Sequence, residues 1–481
     1  TIIDNSFSSI TRAVMWGRSL YRNIREASSV IKQFGAQESD PILRAYLSQA
    51  YALRAFDYFY LAQIYQHTYV GNEDAPCLPI VTEDNMEQEY TAGIERASVR
   101  EVYAYIMENL NKAIALLEVN TVEYPHKGFI STEAAYALRA RINLVMNNWE
   151  AAASDAERVI MAETAEPYTI EEVSKPGFSD INDKAWLWGF KVDETDNVVL
   201  TGIVNWPSHM CSMTGNGYTT SIGMDSNQKR ISKALWNQIP ETDVRKGWWI
   251  DENMFSPLLV NAYGVEQAGQ IPYSASMAPY TNVKFGPEGG EFFNATNAQD
   301  IPLIRIEEIC FIWIEAQAMM GNTEDAAELL TDFVQECRNP YYTCEATTTE
   351  ELLEAIWMQR RIELWGEGHS YFDLMRLKKT TDRRGAGFEP AYVFNIPDGD
   401  AARIYQMPSA EMVNNPELVQ NPEPEMPQPV EDFQEETFVY FADGEYNSTL
   451  FGGAWGQIME VSQSDPNHYR LPDYISAGYD L

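Results

Sequence analysis

The residues best suited to chemistry are aromatic side chains in a loop-rich stretch between about residues 164 and 301. Among the Asn, Ser, Thr and Gly of this stretch lie Trp206, Tyr218, Trp248, Trp249, Tyr273 and Tyr280. Sugars present apolar C–H faces ringed by hydroxyl groups, so flat rings beside amides and carboxylates bind them well. The pattern therefore favours a carbohydrate-binding surface in these loops. The alternative interpretation, that most of these rings fill small cores within the insertion, stays open at the level of sequence.

Motifs for catalysis or cofactor binding are missing from the sequence. The chain has five histidines, and none of them lies in an HExxH motif or beside a nucleophile motif such as GxSxG. It has no GxxxxGK[ST] loop, no GxGxxG turn at a strand–helix junction and no Cys/His set with zinc spacing. We therefore expect no catalytic residue, no metal and no cofactor. A carboxylate pair for glycoside hydrolysis stays open, because 71 Asp and Glu residues make any single pair uninformative.

The charged run Gln359–Arg376 admits two interpretations. Its Arg360, Glu363 and Asp373 fall at helical spacings and resemble an active-site constellation. The structural interpretation is that ion pairs fasten this helix to the apolar helix predicted over 304–320, which carries three glutamates of its own. We favour the structural interpretation.

Composition excludes several classes of protein. The 481 residues include 71 Asp and Glu against 34 Lys and Arg, which gives a formal net charge of −37. Such a charge repels phosphate backbones and anionic membrane surfaces, so a nucleic-acid partner is not expected. The hydrophobic fraction of 45% supports a sizeable core. The longest uncharged stretch, Asn197–Met224, is rich in Gly, Asn, Ser and Pro and cannot span a membrane as a helix.

The five cysteines leave the redox compartment open. Cys310 lies in an apolar helical run, where a small core residue is expected. Cys337 and Cys344 are close enough in sequence for a local disulfide, although sequence alone cannot show the required geometry. For Cys77 and Cys211, both a disulfide and free thiols are compatible with the sequence.

Helical periodicity dominates the chain before about residue 163 and again after residue 302. Cap signals mark three of the helix starts, at Asp40-Pro41, at Ser98 with Glu101, and at Ser131-Thr132. The predicted helices cover residues 9–34, 42–66, 98–117, 133–146, 149–162, 303–320, 323–337 and 349–378. The helix around Ile309–Ile314 is apolar almost all round, so it should be central.

Two segments of the helical parts resemble each other. Met146–Ala153 and Met320–Ala327 share five of eight residues, and each follows one predicted helix and opens another. Both place small alanines where two helices must approach closely. This is the pattern of the inner turn of a tetratricopeptide-like hairpin, so we predict a repeat scaffold. Two unrelated hairpins with chance identity are the alternative.

These changes of pattern predict four parts. Residues 1–163 form an N-terminal helical part, 164–301 a loop-rich aromatic insertion, 302–422 a C-terminal helical part, and 423–481 an acidic, Pro-rich linker with a possible β appendage. The predicted fold class is mainly α: a tetratricopeptide-like helical-hairpin scaffold with a large loop-rich insertion and a small β-like C-terminal tail. Thr1 leads almost directly into a helical pattern, so we expect an N-terminus that has been processed or trimmed.

Taken in order, these landmarks resemble the SusD/RagB family of Bacteroidetes surface lipoproteins. No single motif is specific, but their order along the chain is persuasive. The segments that carry the resemblance are Leu43–Tyr65, Val102–Ala113, Ala134–Arg141, Leu235–Arg245, Ile304–Ala316, Arg360–Arg376 and Pro408–Pro422.

The resemblance implies a non-enzymatic protein of nutrient capture at the cell outer membrane. Members of the family sit on a SusC-like TonB-dependent transporter, and most of those characterised bind glycans. The resemblance places the ligand region in the aromatic insertion and in the loop after the second helix, which adds Tyr69 and Tyr90 to the candidate binding residues. The lipid-bearing N-terminal Cys of the family is absent from this sequence, so membrane anchoring is implied by the resemblance alone.

Four functions are therefore to be distinguished. The leading prediction is surface glycan binding with delivery to a SusC-like transporter, and an acidic surface suits neutral sugars better than sulfated ones. The second is a peptide-binding lid of a RagA/RagB-type importer. The third is a tetratricopeptide adaptor for other proteins, in which the aromatic residues would be buried. The last is a glycosidase, which requires two carboxylates facing each other across a cleft.

Overall fold

The structure is a computed structural model that describes residues 14–87, 92–200, 206–214, 229–268, 277–292, 294, 296, 298–386, 393–425 and 427–430. The β appendage predicted near the C-terminus lies outside these residues. The four-part division of the chain therefore stays a prediction. Within the described residues, no helix has the length and apolar character needed to cross a membrane.

Helices account for most of the described secondary structure. They are α1 (Tyr21–Phe34), α2 (Pro41–Tyr65), α3 (Val99–Glu118), α4 (Thr132–Val145), α5 (Trp149–Met161), α6 (Asn197–Leu200), α7 (Trp206–Met210), α8 (Lys233–Trp236), α9 (Pro257–Tyr263), α10 (Ile306–Met319), α11 (Thr323–Cys337), α12 (Thr349–Glu363), α13 (Ser370–Arg376) and α14 (Ser409–Asn414). The strands form two antiparallel pairs, β1 (Trp186–Phe190) with β2 (Ile301–Arg305) and β3 (Thr381–Asp382) with β4 (Asn395–Ile396). The predicted mainly α fold is confirmed.

Side-chain caps start the longer helices where the sequence predicted them. The Asp40 carboxylate accepts hydrogen bonds from the backbone N–H groups of Ile42 and Leu43 at the start of α2. Ser98 and Glu101 form a reciprocal capping box at the start of α3. These bonds satisfy backbone donors that have no partner within the first turn, so they fix where each helix begins.

The predicted repeat is present, and its two turns match bond for bond. Asn147 and Gly321 both take left-handed backbone conformations, with φ of 58° and 91°. The next residue in each turn, Asn148 or Asn322, donates its N–H to a carbonyl of the preceding helix. The first turn joins α4 to α5 and the second joins α10 to α11, and α10 packs on α5. The hairpins therefore stack, as in tetratricopeptide scaffolds.

Two predicted helix boundaries are wrong. The helix predicted from residue 303 begins at Ile306, because residues 301–305 form β2 and pair with β1 of the insertion. The helix predicted over 349–378 is broken between α12 and α13 by Gly366 and Gly368, which have φ of 81° and 87°. A Cβ atom on Gly366 would lie 2.6 Å from the Phe285 ring, so close packing requires glycine there.

The C-terminal helical part is tied back onto the N-terminal part by asparagine side chains. Asn421 donates to the carbonyl oxygens of Tyr65 and Tyr405, at 2.7 Å each. Asn415 donates to the carbonyl of Ile94 at 2.8 Å. These bonds secure both ends of the loop between α2 and α3.

The charged run after Gln359 is a buried ion network, as the structural interpretation predicted. The Glu363 carboxylate lies 2.7 Å from Arg338 and 3.4 Å from both Arg245 and Arg305. All four side chains are fully buried. Arg305 also pairs with Glu367 at 2.8 Å. The network joins α12, the end of α11, β2 and the insertion.

Further pairs extend the network to other helices. Arg141 of α4 donates to Glu308 of α10 at 2.6 Å. Arg376 of α13 donates to Glu315 of α10 at 2.9 Å. Lys284 of the insertion donates to Glu367 at 2.6 Å, and burial lowers the pKa of this lysine to about 8 despite the carboxylate beside it.

Among the described residues, which include all five cysteines, there is no disulfide. Cys77 and Cys211 are buried, and burial raises the pKa of each thiol to about 12. Cys337 and Cys344 pack at the edge of the core formed by α10, α11 and α12. The local disulfide that their spacing allowed is not formed.

Replacing Glu363 by Gln should destabilise the fold strongly. The substitution removes the carboxylate charge that three buried arginines share. Breaking a buried ion pair typically costs about 3–5 kcal/mol. Urea unfolding measures the change in free energy. The matched control is Glu26→Gln, which removes the exposed pair with Arg22 and should leave stability unchanged. Equal free energies of unfolding for the two variants would contradict a large contribution of the ion network to stability.

Acid should weaken the fold through Glu367. Burial alone would raise the pKa of this carboxyl, but Arg305 and Lys284 outweigh burial and lower it to about 2. A carboxylate with a lowered pKa stabilises the folded state above its unfolded pKa of about 4.3, and this contribution is lost as the pH falls towards 2. The urea midpoint should therefore fall between pH 5 and pH 2.5, and less steeply in Glu367→Gln. The same pH dependence of the urea midpoint in both proteins would show that Glu367 is not a source of the acid sensitivity.

Candidate functional site

Three of the aromatic residues predicted to bind ligand lie in the protein core. Trp248, Trp249 and Tyr280 are 0%, 1% and 3% exposed. The Trp248 indole N–H donates to the carbonyl of Val173 at 2.9 Å, and the Trp249 ring packs edge-on against Trp365. A buried ring presents no face to a ligand, so we correct the prediction for these three: they are core residues, as the alternative interpretation held.

The remaining predicted residues divide into two groups. Trp206 is half-buried, with its ring 4.8 Å from that of Phe285, and Tyr69 is half-buried against Tyr103. A binding role for these two stays a prediction. The other three lie outside the described residues: Tyr90, Tyr218 and Tyr273.

An open polar cleft of about 520 Å³ lies elsewhere, between the α3–α4 connection and the insertion. We call it the acidic cleft, because five of its side chains are carboxylates. Its lining residues are Pro125, His126, Ser179, Asp180, Ile181, Asn182, Lys191, Val192, Asp193, Glu194, Glu288, Gly289, Ala298 and Asp300. The volume is within the range of small-molecule sites.

Asp300 builds the floor of the acidic cleft. Its two carboxylate oxygens accept the backbone N–H groups of Ile181 at 2.8 Å and Val192 at 2.7 Å. One side chain therefore joins two lining segments that are far apart in sequence. The only lysine of the lining, Lys191, pairs with Asp193 at 2.9 Å. With five carboxylates and one paired lysine, the lining is rich in hydrogen-bond acceptors.

Two exposed aromatic rings lie at the edge of the acidic cleft. Phe129 is 36% exposed, stacks in parallel on Tyr124 with ring centres 5.3 Å apart, and lies 5.2 Å from the ring of the lining residue His126. Phe190 is 48% exposed and directly precedes Lys191 of the lining. We call Tyr124, His126, Phe129 and Phe190 the aromatic rim.

Backbone contacts bring the two halves of the aromatic rim together. The N–H of Gly189 donates to the carbonyl of Lys127 at 3.1 Å, and the Trp188 indole N–H donates to the carbonyl of Gly128 at 3.2 Å. A Cβ atom on Gly189 would lie 2.8 Å from the carbonyl oxygen of Ile301. The pairing of β1 with β2 at this point therefore depends on a residue without a side chain.

Helix α2 holds the loop of the aromatic rim from the other side. The Gln49 amide accepts from the N–H of Ile130 and donates to its carbonyl, at 2.8 Å each. The hydroxyl groups of Ser48 and Tyr124 lie 3.2 Å apart. The rim is thus fixed at several points before any ligand arrives, which lowers the entropic cost of binding.

Sequence reasoning missed the aromatic rim, although a signal was present. The connection between α3 and α4 covers residues 119–131 and is long for neighbouring helices. It contains Tyr124-Pro-His-Lys-Gly-Phe129, in which aromatic residues lie beside Pro and Gly. A long connection that displays rings from a rigid scaffold is a common place for a binding site.

The groups at this site are chemically suited to contact hydroxyl groups and apolar C–H faces. The carboxylates and amides of the acidic cleft accept or donate hydrogen bonds, and the rings of the rim offer flat apolar surfaces. Within the described ranges, no group of three or more His, Cys, Asp and Glu side chains is placed to hold a metal ion. Directly before α6, the N–H of Asp193 donates to the Asp196 carboxylate at 2.9 Å.

Comparison with known proteins identifies the family. The sequence model described as "SusD family" matches residues 218–423, and one described as "Starch-binding associating with outer membrane" matches residues 7–144. The two matches cover both helical parts. The stacked helical hairpins and these matches show that the chain belongs to the SusD/RagB family.

Individual relatives are distant in sequence and similar in fold. A SusD-like protein P2 of Formosa agariphila is 24% identical over 425 residues, which span 83% of this chain and 78% of that protein. A SusD superfamily structure from Bacteroides thetaiotaomicron has a TM-score of 0.67 at 22% identity, covering 84% of this chain and 85% of that one. A SusD-like carbohydrate binding protein from Bacteroides vulgatus has a TM-score of 0.67 at 23% identity, covering 86% of each chain.

Replacing Gln49 by Ala should loosen the loop of the aromatic rim. The buried N–H of Ile130 would lose its partner, which costs about 1–3 kcal/mol. Hydrogen exchange with mass spectrometry should show faster exchange in peptides that cover residues 124–131. The matched control is Gln238→Ala, since Gln238 is exposed and bonds only within its own turn. Unchanged exchange in Gln49→Ala would show that the loop is held by other contacts.

Proposed function

We propose that this protein binds a neutral oligosaccharide or polysaccharide at the acidic cleft and the aromatic rim, without cleaving it. The observation that carries the proposal is the exposure of Phe129 and Phe190 at the edge of a cleft lined with hydrogen-bonding groups. A sugar presents apolar C–H faces and hydroxyl groups. Solvent-exposed rings can pack on the C–H faces, and hydrogen-bond acceptors can bind the hydroxyl groups. The net charge of −37 disfavours anionic glycans at this site.

The family supports the same ligand class. One of the matched families is described as starch-binding, and the similar Bacteroides vulgatus structure is described as a carbohydrate binding protein. The proposal extends this ligand class to the present chain. The acidic cleft supplies the chain's own candidate site for it, separate from the buried Trp248 and Trp249.

The cellular role in this proposal is delivery of captured glycan to a SusC-like TonB-dependent transporter at the outer membrane. Support comes from the family description, which includes association with the outer membrane. A surface-exposed lipoprotein is the form expected from the resemblance in sequence. The binding experiment below does not require the transporter, so it tests the ligand independently of the delivery step.

Native affinity electrophoresis tests the proposed ligand class. The purified chain is run through gels that contain amylopectin, laminarin, glucomannan or arabinoxylan, and we expect at least one polymer to retard it. Incubation with that polymer should release no reducing sugar. Release of reducing sugar would instead support a glycosidase. No retardation by any of the four would contradict the proposal and favour a peptide ligand.

Replacing Phe129 or Phe190 by Ala should weaken retardation by the same polymer. Loss of one aromatic contact corresponds to about 0.5–1.5 kcal/mol, or roughly a twofold to tenfold loss of affinity. The matched control is Phe255→Ala, because Phe255 is exposed to a similar extent and does not line the acidic cleft. Equal effects of all three substitutions would place the binding surface elsewhere.

A further inference from the structure

The most exposed side chains of helix α2 are apolar or aromatic. Of its 25 residues, these are Pro41, Ile42, Tyr46 and Leu53. The charged residues of this helix do not form a solvated face. Arg54 and Asp57 are buried, and the half-buried Arg44 donates to the backbone carbonyls of Glu38 and Val119. In a chain with 22% charged residues, a long helix whose most exposed residues carry no charge is unusual.

The exposed residues share one face of α2. With 3.6 residues per turn, Ile42, Tyr46 and Leu53 fall within a narrow arc of the helix. The first and the last of them are eleven positions apart, or about 16.5 Å at 1.5 Å per residue. We call these three residues the α2 ribbon. Tyr46 is 61% exposed, so its ring presents a large face to solvent.

The α2 ribbon lies beside the aromatic rim. Gln49, which falls between Tyr46 and Leu53 on the same face, forms both hydrogen bonds to Ile130, the residue next to Phe129. At the other end, Phe56 lies one turn beyond Leu53 and packs on Trp188, with ring centres 4.7 Å apart. The ribbon and the rim are therefore neighbours on the surface.

We propose that the glycan of the proposed function is a chain of several sugar units that continues from the acidic cleft, across the aromatic rim, and along the α2 ribbon. This inference rests on the proposed function and adds the length of the ligand. The absence of charge from the most exposed residues of α2 suits an uncharged polymer. Its position beside the rim makes it the continuation of the same surface, and an apolar face of this kind is a common mark of a binding site.

The inference is tested with oligosaccharides of two, four and seven units, prepared from whichever of the four polymers retards the chain. Isothermal titration should show affinity that rises with length. Tyr46→Ala should lower the affinity for the seven-unit oligosaccharide by about twofold to tenfold and leave the two-unit affinity unchanged. The matched control is Tyr341→Ala, because Tyr341 is 80% exposed and belongs to neither the cleft, the rim nor the ribbon.

Other outcomes separate this inference from the proposed function. If all three lengths bind equally and Tyr46→Ala has no effect, the glycan occupies the cleft alone and the ribbon is not part of the site. If sedimentation velocity shows a dimer that Tyr46→Ala dissociates, the ribbon is an interface between two copies. If none of the four polymers retards the chain, the proposed function itself fails, and the inference fails with it.

Discussion

The Glu363 carboxylate is the point on which the rest of the structure depends. Three arginines approach it from β2, from the end of α11 and from the insertion, and all are fully buried. A buried charge is tolerated only when it is paired and hydrogen-bonded, so each of these elements has one acceptable position. The network therefore fixes the loop-rich insertion on the helical scaffold, which hairpin stacking alone would leave undetermined.

This constraint extends to the candidate site. Arg305, held by Glu363 and Glu367, is the last residue of β2, and β2 pairs with β1. Strand β1 ends at Phe190 of the aromatic rim and contacts the loop that carries Phe129. A buried electrostatic interaction thus sets the position of exposed rings at some distance from it. The buried charges build the scaffold, and the candidate site combines the neutral rings of the aromatic rim with the carboxylates of the acidic cleft.

Local features were predictable from the sequence and long-range ones were not. The cap at Ser98 and the paired turns at Asn147 and Gly321 depend on neighbouring residues, so periodicity and turn chemistry reveal them. The burial of Trp248 depends on Val173 and Lys284, which are distant in sequence. Aromatic composition marked the insertion as a candidate ligand region, but composition cannot tell a core ring from an exposed one, and the exposed rings include Phe129 from outside the insertion.

Phe129 and Phe190 are held in place by their neighbours but are only partly buried, which favours a binding role over a packing role. Phe129 stacks on Tyr124 with one face, and Phe190 follows Trp188 at the end of β1, yet both keep a substantial exposed fraction. Stacking and the hydrogen bonds of Gln49 already restrict the rim, so the fold has ordered these rings without burying them. A ligand that covers them gains the apolar contact and loses little further side-chain entropy. Ordered apolar rings beside hydrogen-bond acceptors are therefore suited to sugars, because each contact with a sugar is weak and leaves little free energy for ordering the protein.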